Sequence, residues 1–365
     1  MTTDPALVAR RLPSLTGLRF AAAFGVFGFH FAPYLSGHAH TLLGAVFDRA
    51  NSGVSFFFIL SGVVLTWSRS PGDTPRRFYQ RRFARIYPDY LVAWVLTFFG
   101  LAYQGRALDL PAGGLSLLLV QSWVPKLDVF LGWNGVAWTL SCEAFFYLCF
   151  PFIVGRIQGL RRPLALVPFL CLPTLFLGVV GLVRYPHSHP VTLIWLQSIL
   201  PPVRLCEFVV GIVLAVELRR RSLPRIPLWM AGVAIAGAYA LLSWAPLYWI
   251  VVPVLIPFLA LVIVAAAQRD LGGRKTPWSR RPLVLLGECS YAFYLLHQLI
   301  IRVWAGADHH RHVTITSDVV GLLWFVVLLI VAVGAAFTLF RVVEVPFERR
   351  LRGSSPPRLE LDLAD

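Results

Sequence analysis

The hydrophobic residues of this chain come in repeated blocks of about 20 residues, separated by short polar stretches that are rich in Arg. A helical run of about 20 apolar residues spans roughly 30 Å of hydrocarbon. The pattern therefore predicts an all-α integral membrane protein, a bundle of about ten transmembrane helices. The predicted spans are 15–35, 52–68, 86–104, 136–156, 163–184, 200–217, 226–246, 248–267, 283–306 and 319–343.

Two stretches need a separate interpretation. Residues 110–124 are apolar but short and contain Gly and Pro, which favours an interfacial or re-entrant piece over a span. Arg19 interrupts the first apolar block, and no small-residue cleavage site follows it. We therefore expect the first span to remain in the mature protein.

The positions of Arg and Lys predict the orientation. With a cytoplasmic N-terminus, 24 of the 33 Arg and Lys residues fall in inside loops and 5 fall in outside loops. Inside loops carry such an excess of positive charge in membrane proteins. We therefore expect both termini to be cytoplasmic, with residues 1–345 forming the transmembrane domain and 346–365 a short cytoplasmic tail.

The composition excludes a soluble protein. Only 14% of the residues are charged, against about 25% in soluble domains, while 57% are hydrophobic and the mean hydropathy is +0.69. The net charge of +15 could indicate nucleic-acid binding, but no binding module accompanies it. Basic loops that face the anionic lipid of a plasma membrane explain the charge better. The lipid bilayer, rather than a nucleic acid, is the expected partner.

Polar groups inside apolar spans are costly and indicate functional sites. In the first span, Arg19 and His30 lie eleven residues apart, which brings them to nearly the same helix face about 16 Å apart in depth. One helix thus offers a fixed cation near the cytoplasm and a titratable base further in. Alternatively, His30 only bonds a neighbouring helix, and Arg19 reaches out to lipid phosphates.

The fourth predicted span contains Glu143, about two turns below the outer surface and near the depth of His30. A carboxylate at that depth needs a partner, and an imidazole would serve. Donors on adjacent helices are the alternative. The five cysteines lie in apolar spans without zinc-type spacing, so we expect them to be small buried hydrophobes and expect no metal site.

Two further pairs of polar residues have helical spacing. Arg204 and Glu207 lie three apart on the sixth predicted span, and Tyr294 and His297 lie three apart on the ninth. Either pair could line a substrate site or hold helices together, because polar side chains commonly link membrane helices.

These motifs together resemble one known family. The matching pieces are Arg19 with His30, Gly53 through Gly62, Arg81 through Pro88, Trp138 through Tyr147, Arg204 through Gly211, Ser290 through His297, and Glu344 with Pro346. They resemble, in order and over nearly the whole chain, the membrane acyltransferase-3 family of bacterial O-acyltransferases. The opening Leu12 through Phe20 is similar to actinobacterial members, including macrolide O-acyltransferases.

The resemblance implies an acyl-CoA donor, acetyl-CoA in the simplest case, that enters from the cytoplasm. The acceptor would be a hydroxyl of a carbohydrate or of a glycosylated or macrolide-type natural product. It also implies that the pair at Arg19 and His30 is essential. We expect the chain to act without the hydrolase-like domain found in some polysaccharide-acetylating members.

Acyl transfer requires a base for the hydroxyl and stabilisation of an oxyanion. His30 is the expected general base with Glu143 as its orienting partner, and a transient acyl-His30 remains an alternative. Arg19, Arg81, Arg82 and Arg85 are expected to bind the CoA phosphates. A secondary transporter with buried ionisable residues is the rival class, but we find no convincing repeat between the two halves.

Overall fold

The computed structural model is all-helical in the part of the chain that it describes. A parallel bridge between Leu35 and Ile315 joins the end of the first helix to the segment that precedes the last long helix. The described residues are 12–35, 43–44, 46–69, 72–105, 107–244, 248–306 and 315–352.

Thirteen helices of this part carry the argument below. They are α1 Pro13–Phe31, α2 Gly53–Trp67, α3 Pro75–Tyr103, α4 Leu110–Leu117, α5 Trp138–Gly159, α6 Val167–Arg184, α7 Pro201–Arg220, α8 Leu228–Trp244, α9 Val251–Leu271, α10 Arg281–Glu288, α11 Ser290–Gly306, α12 Asp318–Leu339 and α13 Val345–Arg352. Leu127–Phe130 and Val191–Ile194 are single helical turns, and Trp195–Ile199 and Phe340–Glu344 are π-helical.

In the described part of the chain, eight helical segments are long and apolar enough to cross a membrane. They contain α1, α2, α3, α5, α6, α7, α9 and α12, and they correspond to eight of the ten predicted spans. Of the other two, 226–246 contains α8, a 17-residue helix. The last, 283–306, is the pair α10 and α11, bent by 65° at Cys289. The chain is thus a multi-pass helical membrane protein.

Helix α3 begins earlier than predicted. The sequence reading placed residues 76–85 in a loop, but the helix starts at Pro75 and runs for 29 residues. Thr74 caps it by accepting a hydrogen bond from the backbone N–H of Arg77. Because Arg is a good helix former and Pro75 suits the first turn, the arginines extend the helix. Arg81, Arg82 and Arg85 are therefore held on a rigid element; we call this end of the bundle the arginine-rich end.

Two other predictions concern short segments. The stretch 110–124 is a short helix, α4, followed by a 3₁₀ turn, so it is not a span, as predicted. The first residues of the predicted tail are helical, because α12 continues through a π-helical turn into α13. Residues 353–365 of that tail lie outside the described residues.

Helices α2 and α7 cross at very close range. A Cβ at Gly62 would overlap the carbonyl oxygen of Phe208, and a Cβ at Gly211 would overlap that of Ile59. Small residues allow membrane helices to approach closely enough for extensive packing, which replaces the hydrophobic driving force that lipid cannot supply. Gly62 and Gly211 therefore fix the spacing of α2 and α7.

We expect Gly62→Ala to lower the free energy of unfolding in detergent by about 1–3 kcal/mol, because the added methyl group overpacks the contact between α2 and α7. The matched control is Gly155→Ala on α5, where an added Cβ meets nothing within 4 Å. Thermal unfolding followed by circular dichroism measures both. Equal midpoints for the two variants would contradict the role of Gly62.

Candidate active site

A cavity of about 140 Å³ lies among α1, α2, α3, α5 and α11. We call it the main cavity because more of the predicted site residues line it than line the other described cavities. Its wall is largely apolar, with one group of charged and hydroxyl side chains. These are Arg19, Ser61, Arg82, Arg85, Thr139, Glu143, Tyr147, Ser290, Tyr291 and Tyr294.

Glu143 is a carboxylate in this cavity, on the first turns of α5. It lies within hydrogen-bonding reach of Ser61 and Tyr147. The positive charges that act on it are those of Arg19 and Arg82. A carboxylate between two guanidinium groups and two hydroxyl donors is compensated for its removal from water.

The predicted partnership of Glu143 with His30 is wrong in this structure, because the contacts of Glu143 are those just described. The reason is depth. The residues just before α5 are already buried, and the Asn134 side chain donates to the carbonyl of Leu295, 3.1 Å away. Helix α5 thus starts well inside the bundle, and Glu143 lies nearer Arg19 than the apolar pattern predicts.

His30 instead pairs with His297. Nδ1 of His30 lies 2.9 Å from Nε2 of His297, which projects from the middle of α11. Nδ1 of His297 lies 3.2 Å from the carbonyl oxygen of Phe293. The sequence analysis named both histidines but gave His30 Glu143 as its first partner.

Tyr294 connects the histidines to the cavity. Neither histidine is among the described residues that line the cavity, whereas Tyr294 does line it. The Tyr294 ring centroid lies 5.7 Å from that of His297 and 5.8 Å from that of Phe57, another cavity residue. The aromatic rings of Tyr294 and Phe57 therefore border the end of the cavity nearest the histidine pair.

The four arginines of the predicted phosphate site are distributed over two cavities. Arg19, Arg82 and Arg85 line the main cavity. Arg81 and Arg82 line a second cavity, which lies between the end of α2 and the start of α3. Arg81 is also paired with Asp73, 2.7 Å away.

Arg85 is held by the C-terminal end of the bundle. Its guanidinium contacts Glu344 and also Glu348, whose carboxylate lies 2.9 Å away. This ion pair docks α13 on α3 next to the cavity. The sequence analysis treated Arg85 only as a phosphate ligand and missed this second partner.

Arg204 and Glu207 form the predicted pair along α7, with 2.6 Å between Arg204 Nη1 and Glu207 Oε1. The Ser55 hydroxyl on α2 bonds both residues. The two residues are 2% and 1% exposed, and neither lines a described cavity. The structure places them at the α2–α7 contact.

Asp89 was missed by the sequence analysis. It lies inside α3 and is 1% exposed, and neither carboxylate oxygen has a hydrogen-bond partner among the described residues. The sequence signal was available: an acidic residue within the predicted span 86–104 is a functional hypothesis by default.

Comparison with known proteins identifies the family. A family profile described as an acyltransferase domain matches residues 12–341. Acyltransferase MdmB of Streptomyces mycarofaciens is 34% identical over 95% of this chain and 94% of its own length. O-acetyltransferase OatA of Staphylococcus aureus is 23% identical over 93% of this chain and 58% of its own length. Peptidoglycan O-acetyltransferase OatA of Listeria monocytogenes is also 23% identical, over 93% of this chain and 56% of its own length.

No solved structure significantly matches the chain. The profile covers most of the sequence, and the Streptomyces relative matches nearly end to end. The chain therefore belongs to the membrane acyltransferase-3 family.

Proposed function

We propose that this protein moves an acyl group, acetyl in the simplest case, from acyl-CoA to a hydroxyl of a carbohydrate or of a glycosylated or macrolide-type natural product. The observation that carries the proposal is the main cavity, where three arginines stand at one end and Tyr294 borders the His30–His297 pair at the other. The name of the Streptomyces relative supports acyl transfer, and that of the Staphylococcus relative supports transfer to oxygen.

The arginine-rich end is the proposed entrance for the donor, on the cytoplasmic side of the plasma membrane, with both termini on that side. Arg19, Arg81 and Arg82 would bind the CoA phosphates through charge-assisted hydrogen bonds. Arg85 would contribute its charge while it stays paired with Glu344 and Glu348. The thioester end of the donor would extend through the cavity towards Tyr294.

In the proposed reaction, His30 removes the proton of the acceptor hydroxyl, and the oxygen attacks the thioester carbonyl carbon. A C–O bond forms and the C–S bond breaks. The proton held by His30 then passes to the departing CoA sulfur, which leaves as a free thiol. An acyl-His30 intermediate is the alternative route, in which the histidine nitrogen attacks first. Glu143 would orient Arg19 and Arg82 rather than His30.

Radiolabelled acetyl-CoA tests the proposal. Purified protein in detergent, given an extract of envelope glycans and metabolites from a deletion strain, should transfer the label to one component and release CoA thiol. Mass spectrometry then identifies the acceptor. A transporter, the rival class, would leave acetyl-CoA intact, and that result would overturn the proposal.

Arg19→Lys should weaken acetyl-CoA binding about tenfold, the effect of losing one charge-assisted hydrogen bond of roughly 1.5 kcal/mol. A guanidinium can donate two parallel hydrogen bonds to a phosphate, whereas an ammonium acts as a point charge, so the lysine variant loses one of them. Calorimetric titration with acetyl-CoA measures the change. Arg161→Lys, at an exposed position outside the described cavities, is the control. An unchanged Kd in both Arg19→Lys and Arg19→Ala would remove Arg19 from the donor site.

A further inference from the structure

The two histidines form one hydrogen-bonded chain that ends at a backbone carbonyl. His297 is fully buried, and its Nδ1 faces the Phe293 oxygen at 3.2 Å. A carbonyl oxygen can only accept a hydrogen bond, so Nδ1 of His297 must carry a proton. This contact assigns one of the two ring nitrogens of His297.

The protonation of the other ring nitrogen of His297, Nε2, follows from the charge of the two histidines. The charged side chain that acts on His30 is Arg302, and no carboxylate is among the contacts that the structure gives either histidine. A second buried cation beside Arg302, without an anion, would be strongly disfavoured. Both imidazoles are therefore neutral at rest. Since a neutral imidazole has a single N–H, Nε2 of His297 carries the lone pair.

The lone pair on Nε2 of His297 determines which ring nitrogen of His30 carries the proton. Its Nδ1 lies 2.9 Å from Nε2 of His297, so Nδ1 of His30 must be the donor. The backbone carbonyl of Val26, one turn earlier on α1, is also within hydrogen-bonding reach of His30. The contact with His297 therefore favours the Nδ1–H tautomer of His30.

The His297 ring is held in place by aromatic packing. Phe293 stacks on it with 5.7 Å between ring centroids and an interplanar angle of 14°. The ring centroids of Phe27 and Tyr294 lie 6.3 and 5.7 Å from that of His297. A ring fixed on three sides presents its Nε2 lone pair to His30 in one direction.

We propose that His297 is a positioning residue that holds His30 in its Nδ1–H tautomer, which leaves Nε2 of His30 as the nitrogen that takes the acceptor proton. This inference rests on the proposed function in assigning His30 as the base. The hydroxyl proton moves to Nε2, and Nδ1–H of the resulting imidazolium keeps its bond to His297. No proton passes to His297, and the hydrogen bond becomes charge-assisted and stronger when the cation forms.

A pair of variants tests the role of His297. His297→Leu removes the acceptor, and we expect kcat to fall about 10–100-fold, as for residues that orient a functional histidine. His297→Gln places an amide oxygen near the position of Nε2, so it should recover most of kcat. The KM for acetyl-CoA should change less than twofold in both variants. Equal loss of kcat in Gln and Leu variants would overturn the proposal.

Gln121→Leu is the matched control for loss of a buried polar group. Gln121 is buried outside the described cavities, and its Oε1 has no hydrogen-bond partner among the described residues. The proposal predicts that kcat per folded molecule stays at the wild-type level in this variant. A kcat as low as that of His297→Leu would show that loss of any buried amide or imidazole has the same effect, and would overturn the proposal.

The tautomer can be measured without turnover. Solid-state nitrogen NMR of ¹⁵N-histidine protein in liposomes, with the His30 signals assigned from the His30→Ala difference, reports which nitrogen carries the proton. We expect Nδ1–H in the wild type and loss of that preference in His297→Leu. A wild-type His30 protonated on Nε2 would overturn the inference. Wild-type protein that leaves acetyl-CoA intact would instead overturn the proposed function, so the two failures are distinguishable.

Discussion

His30→Ala should reduce acyl transfer by about 10²–10⁴-fold, the usual contribution of a general base. The variant should keep wild-type expression and thermal stability within about 1 kcal/mol, because His30 contributes a single hydrogen bond to His297. Release of CoA thiol and transfer of radiolabelled acetyl in detergent are the two measurements. Affinity for acetyl-CoA should be unchanged, since His30 does not line the cavity and lies beyond the end that Tyr294 and Phe57 border.

The matched control is His187→Ala, an exposed histidine between α6 and α7. Its turnover should equal that of the wild type. More than about a tenth of wild-type turnover in His30→Ala would show that the imidazole is structural, because a base contributes at least 100-fold. The acyl-histidine route predicts the same loss. Rapid denaturation of labelled wild-type protein near neutral pH, followed by mass spectrometry, distinguishes the two, because only that route leaves the label on the chain.

Glu207→Ala should lower the stability of the protein by about 3–5 kcal/mol, because it leaves the Arg204 guanidinium buried without its counter-charge. The pair is 2.6 Å apart and almost fully buried between α2 and α7. Thermal unfolding in detergent and the yield of monodisperse protein are the measurements. Activity per folded molecule should remain within about twofold of the wild type, since the pair lines no described cavity.

The double variant Arg204→Leu with Glu207→Leu is the control for this interpretation. Replacing a buried ion pair by apolar groups is often close to neutral, so the double variant should be more stable than Glu207→Ala. If Glu207→Ala is as stable as the wild type but loses acetyl-CoA turnover, the pair belongs to the substrate site and its assignment as a helix contact is wrong.

The fold was largely predictable because membrane insertion depends on runs of apolar residues, which are a local property of the sequence. The pair Arg204–Glu207 was predictable for the same reason, since three residues along one helix fix two side chains as neighbours. Helix α3 was predicted too short. Its charged first three turns, Pro75–Arg85, were interpreted as a loop, although no residue there breaks a helix.

The arrangement of the candidate site was less predictable. Depth along the membrane is a single coordinate, and it placed His30 and Glu143 together although the structure separates them. The neighbours of His30 depend also on the rotation of α1 and on which helix lies beside it. The partner His297 is 267 residues away in sequence, and no local pattern encodes that contact.

The crossing of α2 and α7 constrains how this chain can change. Gly62 is confined by the backbone of Phe208, and Gly211 by that of Ile59, so each glycine makes room for the opposite helix. A larger residue at either position would push the helices apart and leave the other glycine beside a void. It would also separate Ser55 from the ion pair on α7. Divergence at this crossing should therefore proceed through paired exchanges, and chimaeras that take α2 and α7 from different relatives should assemble poorly.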